Sequence, residues 1–171
     1  MDTYPLHEAS RALLEAAEIV AAAGGAELVP PSGEWDSDQI LAHVSLVNAA
    51  TLAALSAVAA GAHTTYDNRI AQDGWTIGTT IRRAGGAAGL RTRIRVQTEA
   101  LCTLGGSSLS DDELNTAISC RLLSHGDVLL DQPISLRDIL NGLAQGELPG
   151  HTAQLLALLG STPRPVRLLG S

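Results

Sequence analysis

The C-terminal part of the chain carries a glutamate and a histidine whose spacing suits a shared metal ion. Glu147 and His151 are four residues apart in ELPGHTAQLL, so on an α-helix their side chains would lie about 5–6 Å apart on one face. His43, in ILAHVSLVNAA, is a third residue of the same kind. Two histidines and one carboxylate, with a position left open for water or substrate, form a recognised catalytic zinc set. The three residues therefore predict a metal site that can support chemistry.

Both segments that carry these residues have helical periodicity and place their polar candidates among apolar ones. On the last helix, Glu147, His151 and Gln154 fall on one stripe with four leucines, and on the second helix His43 lies within the apolar face. The leucines are Leu136, Leu140, Leu143 and Leu158, and the inner face of the second helix comprises Ile40, Val44, Val47, Thr51 and Ala54. A carboxylate that faces a dry core is costly unless it is paired or bound to a metal. The pattern therefore predicts that His43, Glu147 and His151 meet inside the protein.

Two structural interpretations of the same residues stay open. A histidine on an apolar helix face is more often a hydrogen-bonded core residue than a ligand, and His43 fits that description. Pro149 lacks the N–H for an i→i−4 bond and clashes near Gln145, so the last helix either kinks or restarts there. A restart would make Glu147 an acid at a helix N-terminus, where the helix dipole favours it.

Periodicity and breaker residues predict four main helices joined by loops. Gly24 and Gly25 stop the first helix, and the sequence AGGAAG could bend or break the third. The predicted helices are 7–24, Asp36 to about Ala60, about 77–104 and 135–160, while 61–75 is a loop, 105–113 a polar linker and 161–171 an irregular tail. This pattern predicts an all-α single domain over residues 1–171, arranged as a helical bundle.

Two helix starts carry recognisable capping residues. Asp36 is the predicted N-cap of the second helix, with Gln39 as its capping-box partner. Ser135 and Asp138 fit the N-cap and the acid three residues later at the start of the last helix. Before that helix, TAISCRLL and VLLDQPI flank SHGD, which predicts a short hairpin or an extended connection with a turn at Gly126.

Composition excludes several classes of function. The chain has 171 residues with 45% hydrophobic residues, no Phe and no Lys, and a net charge of −7. A negative net charge argues against nucleic acid or an anionic membrane as a partner. The absence of Lys excludes Schiff-base chemistry, and two cysteines are too few for a disulfide scaffold. An aliphatic core and a small-molecule substrate fit this composition.

The expected location is the cytoplasm of a bacterium. The N-terminal sequence MDTYPLHEAS lacks the basic and apolar regions of a signal peptide. No apolar run is expected to reach the ~18–20 residues that span a bilayer. Heavy use of Ala, Gly and Arg without Lys suggests a GC-rich bacterial genome.

Other residues have both a functional and a structural interpretation. Cys102 and Cys120 lack a CxxC spacing and are expected to be core thiols. Tyr66 and Trp75 flank the loop before the third helix, where they either line a pocket mouth or simply pack. The arginines of the third helix either bind carboxylates or form a solvated face, and the glycines of the last helix allow close approach of a helix or a ligand. These sets are Arg82, Arg83, Arg91, Arg93 and Arg95; Gly142, Gly146 and Gly150; and His7, His63 and His125, which are expected at the surface.

At the candidate ligands the sequence resembles the DinB-like superfamily, and more closely the N-terminal domain of the mycothiol-dependent maleylpyruvate isomerase family. WDSDQILAH is similar to that family's pattern of Trp, seven residues and His at the opening of helix two. ELPGHTAQLLALLG is similar to its last-helix pattern of Glu or His, three residues, His, then two residues and an Asp or Gln before Leu. Many DinB-like proteins have three histidines, whereas the isomerase branch has Glu where Glu147 stands. Gln39, Gln154, Pro149 and Gly150 depart from the usual family residues.

The resemblance implies an up-down four-helix bundle with a divalent metal, usually zinc, held by His43, Glu147 and His151. It also implies a low-molecular-weight thiol such as mycothiol as cosubstrate, because zinc lowers the pKa of a coordinated thiol. The expected function is a metal-dependent, thiol-dependent S-transferase or isomerase. The alternatives are a metal-hydroxide hydrolase and a non-enzymatic small-molecule binding or resistance protein with an apolar bundle pocket. A homodimer is left open.

Overall fold

The chain is mostly helical and carries a small three-stranded sheet. The computed structural model describes residues 1–124 and 126–160. The prediction of a surface histidine at His125 and that of an irregular tail over 161–171 lie outside the described residues. The helices are α1 Tyr4–Ala22, α2 Ser37–Ala59, α3 Gly74–Ala84, α4 Ala87–Thr103, α5 Asp111–Leu114, α6 Leu136–Gly142 and α7 Leu148–Ala157; the strands are β1 Thr65–Asp67, β2 Ala117–Ser124 and β3 Asp127–Ser135.

The sheet corrects the all-α prediction. Strands β2 and β3 form the expected hairpin before the last helix, but the hairpin also pairs with β1, which runs parallel to β2 and sets Tyr66 beside Cys120. Strand β1 has only three residues, too few for an alternating pattern to distinguish it from a loop. The fold is therefore mostly helical with a sheet, and an up-down four-helix bundle is not confirmed.

The segment predicted as one third helix is two helices. Gly85 and Gly86 separate α3 from α4 with φ angles of 77° and 82°, a left-handed conformation that glycine adopts without steric cost. Helix α3 begins at Gly74, earlier than predicted, because the Asp73 side chain accepts a hydrogen bond from the Thr76 N–H. The break that AGGAAG allowed is thus present.

The last helical segment runs through Pro149 with a local widening. Residues Leu143–Glu147 form a π-helical turn between α6 and α7, and the Leu148 N–H bonds to the Leu143 carbonyl. Proline in a regular helix clashes with the carbonyl four residues earlier, and a wider turn directly before Pro149 relieves that clash. Glu147 has helical backbone angles and no capping hydrogen bond from its side chain, so the interpretation of Glu147 as an N-terminal acid is wrong.

The helices enclose an aliphatic core. Helix α2 packs against α4, and α1 packs against α4 and α7. All the apolar positions predicted to face inward on the second and last helices are buried. Helix α2 is the one described helix long and apolar enough to cross a membrane by length and composition, with a mean hydropathy of 1.7 over a window that is 61% buried in the protein. The expectation that no segment reaches this length is therefore wrong.

The capping box of α2 is confirmed. The Asp36 carboxylate accepts from the Gln39 N–H, and the Gln39 side chain accepts from the Asp36 N–H, both at 2.9 Å. Ser135 likewise caps α6, because its hydroxyl accepts from the Asp138 N–H at 3.1 Å. These caps fix where the two helices begin. The cap at Asp36 therefore also fixes the position of His43 in the first turns of α2.

We predict that Asp36→Ala lowers the free energy of unfolding by about 1 kcal/mol, because the Gln39 N–H loses its cap partner, the Asp36 carboxylate. Urea unfolding followed by circular dichroism measures the change. Asp127→Ala is the matched control, since it removes an exposed carboxylate that caps no helix. Equal stability of the two variants would contradict the prediction.

Candidate metal centre

His43 lies in the second turn of α2 with only 4% of its surface exposed. Its Nδ1 is 2.8 Å from the carbonyl oxygen of Ala71, in the short helical turn Arg69–Ala71 that follows β1. A carbonyl oxygen only accepts hydrogen bonds, so Nδ1 carries the proton. The interpretation of His43 as a hydrogen-bonded core residue is thus correct for Nδ1, whereas its Nε2 faces Glu147.

His151 on α7 is oriented in the same way by a side chain. Its Nδ1 lies 2.7 Å from Oε1 of Gln154, one turn further along the helix. Gln154 therefore acts as a partner of His151, a role that the sequence pattern does not reveal although it places Gln154 on the inward stripe. Hydrogen bonds from the outer imidazole nitrogen to a carbonyl or carboxylate oxygen are typical of metal-binding histidines.

The Nε2 atoms of both histidines face the carboxylate of Glu147. Its Oε1 lies 2.8 Å from Nε2 of His43 and 3.2 Å from Nε2 of His151. One ligand atom from each of the three residues lies within 4.8 Å of the others. The structure thus brings together the three residues that the sequence singled out, and the group could hold a metal ion.

The electrostatics of this cluster favour a positive charge between its members. Burial raises the pKa of Glu147, but the hydrogen bonds of His151 and His43 outweigh burial and hold that pKa below its ordinary value. Since each Nδ1 already holds a proton, Nε2 can donate to Glu147 only if the imidazole is charged. If the imidazoles are neutral, both Nε2 atoms present lone pairs, and a cation can take the place of the two protons. The donor set therefore fits a bound metal ion.

Trp35 covers the two histidines. Its ring centroid lies 4.7 Å from that of His43 and 6.4 Å from that of His151. The residue directly precedes the Asp36 cap, so the start of α2 also fixes the indole. Nothing about tryptophan as a residue type places Trp35 beside the candidate ligands. The sequence signal that could have found it is the spacing of Trp, seven residues and His.

A cavity of about 500 Å³ opens beside the cluster. Helix α2, the three strands and the last helical segment all contribute to its wall, which includes the three candidate ligands. Tyr66 and Cys120 lie in this wall, on neighbouring strands. Burial raises the pKa of Tyr66 to about 12 and that of Cys120 to about 11. Both side chains are therefore uncharged at neutral pH.

The remaining candidates lie away from the cavity or only partly in it. Tyr66 is buried in the wall, whereas Trp75 is 75% exposed and does not line it. None of the five arginines of the predicted third helix lines the cavity in the described chain. A Cβ at Gly142, Gly146 or Gly150 would meet no atom within 4 Å, so close helix packing does not explain them, and only Gly142 lines the cavity. Cys102 is half-buried, and His7 and His63 are exposed as expected.

No protein-family model, curated protein or solved structure matches the chain. The resemblance to DinB-like proteins therefore rests on the sequence motifs.

We predict that Trp35 fluorescence reports metal binding. In Trp75→Phe the remaining indole lies against two candidate ligands, so titration with Co²⁺, whose unfilled d shell quenches nearby fluorophores, lowers its emission. In the matched variant Trp35→Phe, the exposed Trp75 remains and its emission stays constant. Emission that responds equally in both variants would show that the ion binds elsewhere.

Proposed function

We propose that this protein is a metal-dependent enzyme that acts on a small molecule, with a divalent metal, zinc, held by His43, Glu147 and His151. The observation that carries the proposal is the convergence of two oriented imidazole nitrogens on one carboxylate oxygen in the wall of a cavity. Three protein ligands are the number that catalytic zinc sites use, because the fourth position is left to water or substrate. The motifs WDSDQILAH and ELPGHTAQLL support a DinB-like up-down four-helix bundle as the evolutionary origin of the site.

For the reaction we propose thiol chemistry, which the resemblance to the isomerase branch supports. A metal at this position would lower the pKa of a thiol bound to it, so that the thiolate exists at neutral pH. The thiol, of the low-molecular-weight mycothiol type, gives its proton to solvent, and its sulfur bonds to an electrophilic carbon of the substrate. In a transfer reaction, the leaving group departs with the electron pair of the broken bond. In an isomerisation, the sulfur itself later departs with that pair.

A non-enzymatic binding or resistance protein is the second candidate. The cavity of about 500 Å³ and its aliphatic wall favour it, because such a pocket holds a small molecule without any metal. The two candidates differ in whether purified protein carries a stoichiometric metal ion.

We predict that the wild-type protein, purified without chelators, contains about one zinc ion per chain, whereas His43→Ala contains none. Removal of one of three protein ligands abolishes tight binding. Gln154→Ala binds zinc about 10–100-fold more weakly, because the His151 imidazole loses its orienting partner. Inductively coupled plasma mass spectrometry and competition with a chromogenic chelator measure stoichiometry and affinity.

The matched control for the histidine is His63→Ala, which removes an exposed histidine and keeps the metal. Circular dichroism verifies that His43→Ala is folded, and His151→Ala serves as a second ligand variant. Wild-type protein without stoichiometric metal would contradict the enzymatic proposal and favour the binding protein.

We predict that cobalt-substituted protein develops a sulfur-to-cobalt charge-transfer band near the ultraviolet when mycothiol is added. A thiolate ligand produces this band and a water ligand does not. The methyl thioether of mycothiol is the control compound, since it keeps the size of the thiol but cannot form a thiolate. Saturation with both compounds and no new band would point instead to a hydrolase that activates water.

A further inference from the structure

Apart from the imidazoles of His43 and His151, the ionisable groups that bear charge in the described cavity lining are carboxylates, those of Glu34, Asp138 and Glu147, and no arginine is present there. We infer that the cavity binds a small molecule whose body is largely apolar and carries no negative charge, apart from the one donor atom that reaches the metal. The role of that donor atom rests on the proposed function, whereas the nature of the body rests on the cavity alone.

Three arginines adjoin lining residues in the sequence, yet each is held by a carboxylate elsewhere. In the sequence, one follows Asn68, one follows Cys120 and one precedes Asp138. The pairs are Arg69–Asp67, Arg121–Asp131 and Arg137–Asp111, with N···O distances of 2.6, 3.8 and 2.7 Å. The two imidazoles of the described lining are directed at Glu147. A carboxylate or phosphate on the ligand body would therefore lose water without meeting an arginine of that lining, which is unfavourable.

Two buried side chains of the cavity wall, Tyr66 and Cys120, are polar and neutral. Tyr66 and Cys120 have pKa values raised to about 12 and about 11 by burial. The Thr51 hydroxyl donates to the Val47 carbonyl, and its oxygen lies 3.3 Å from the Tyr66 hydroxyl. The Tyr66 hydroxyl is thus the donor to Thr51, and its oxygen can accept one hydrogen bond from a ligand. Tyr66 and Cys120 thus offer a ligand neutral hydrogen-bonding groups.

Much of the rest of the wall is aliphatic, although the neutral polar residues Asn68, Gln72, Ser124 and Gln154 also line it. Its apolar members include Val47, Leu122, Leu129, Ile139 and Leu143. Leu129 on β3 is 68% exposed although it lines the cavity. Its neighbour Val128 is 48% exposed and does not line the cavity. The register shifts here, since Leu122 pairs with Leu130 and Leu123 with Val128, so Leu129 is an extra residue in β3. An apolar ligand body would cover Leu129, and removal of that apolar surface from water favours binding.

Two thiols that share a benzyl body test the inference. Benzyl mercaptan has a neutral ring, and 4-(mercaptomethyl)benzoate adds one carboxylate to that ring at the end remote from sulfur. We expect the cobalt-loaded protein to bind the neutral thiol at least about ten-fold more tightly in isothermal titration calorimetry, because the carboxylate is left unpaired. The metal-free protein binds both more weakly but with the same preference, since the ligand body determines it.

Leu129→Arg places a cation at the mouth, and we expect it to bring the affinities of the two thiols to within about two-fold. Val128→Arg adds the same charge at a neighbouring residue that does not line the cavity, and leaves the preference unchanged. Equal affinities in wild-type protein, equal effects of the two variants, or no binding of either thiol in both metal states would overturn the inference. A protein that binds no cobalt but prefers the neutral thiol would contradict the proposed function alone.

Discussion

The site depends on one constraint, which is that two imidazoles must direct their Nε2 atoms at a single carboxylate oxygen. This convergence is possible only because both outer nitrogens are engaged, one by the Ala71 carbonyl and one by the Gln154 amide. Each outer hydrogen bond fixes a tautomer and a ring orientation, and so determines that the inner nitrogens share a proton or a cation with Glu147. The capped start of α2, the turn after β1 and the last helical segment all serve to maintain these contacts.

The π-helical turn determines how the carboxylate is presented. On a regular helix, the stripe through Leu143 would continue through Glu147 and Gln154 into the core. The extra residue of the π turn rotates the rest of the helix by about 100°, so Leu148 and Leu155 are fully buried instead. Glu147 therefore lies in the cavity wall, with a third of its side chain exposed. The carboxylate is accessible to a ligand, which a position in the dry core would have prevented.

The sequence was sufficient to predict the three candidate ligands but not the contacts that orient them. Helical periodicity placed His43, Glu147 and His151 on inward faces, because amphipathic patterns persist over many turns. The carbonyl of Ala71 carries no side-chain signal, and β1 gains its identity only from pairing with β2. The π turn was visible only as an ambiguity at Pro149, since a proline within a helix can end it, kink it or widen it. Local patterns thus fail where the decisive contact is distant in the sequence.

The sheet explains how an aliphatic, helical chain acquires a cavity beside its polar cluster. Helices that bury apolar stripes against each other tend to fill the space between them. Here the wall opposite α2 and the last helical segment is supplied by strands. Up to Leu122 the residues of β2 alternate between the cavity and the other face, and beyond it a register shift against β3 lets consecutive residues line the cavity. Arg121 illustrates the consequence, because it stands between two lining residues yet pairs with Asp131 on the next strand. Strand alternation therefore keeps this cationic side chain out of the site, and the positive charge that the three ligands require has to come from a bound ion or from their own protons.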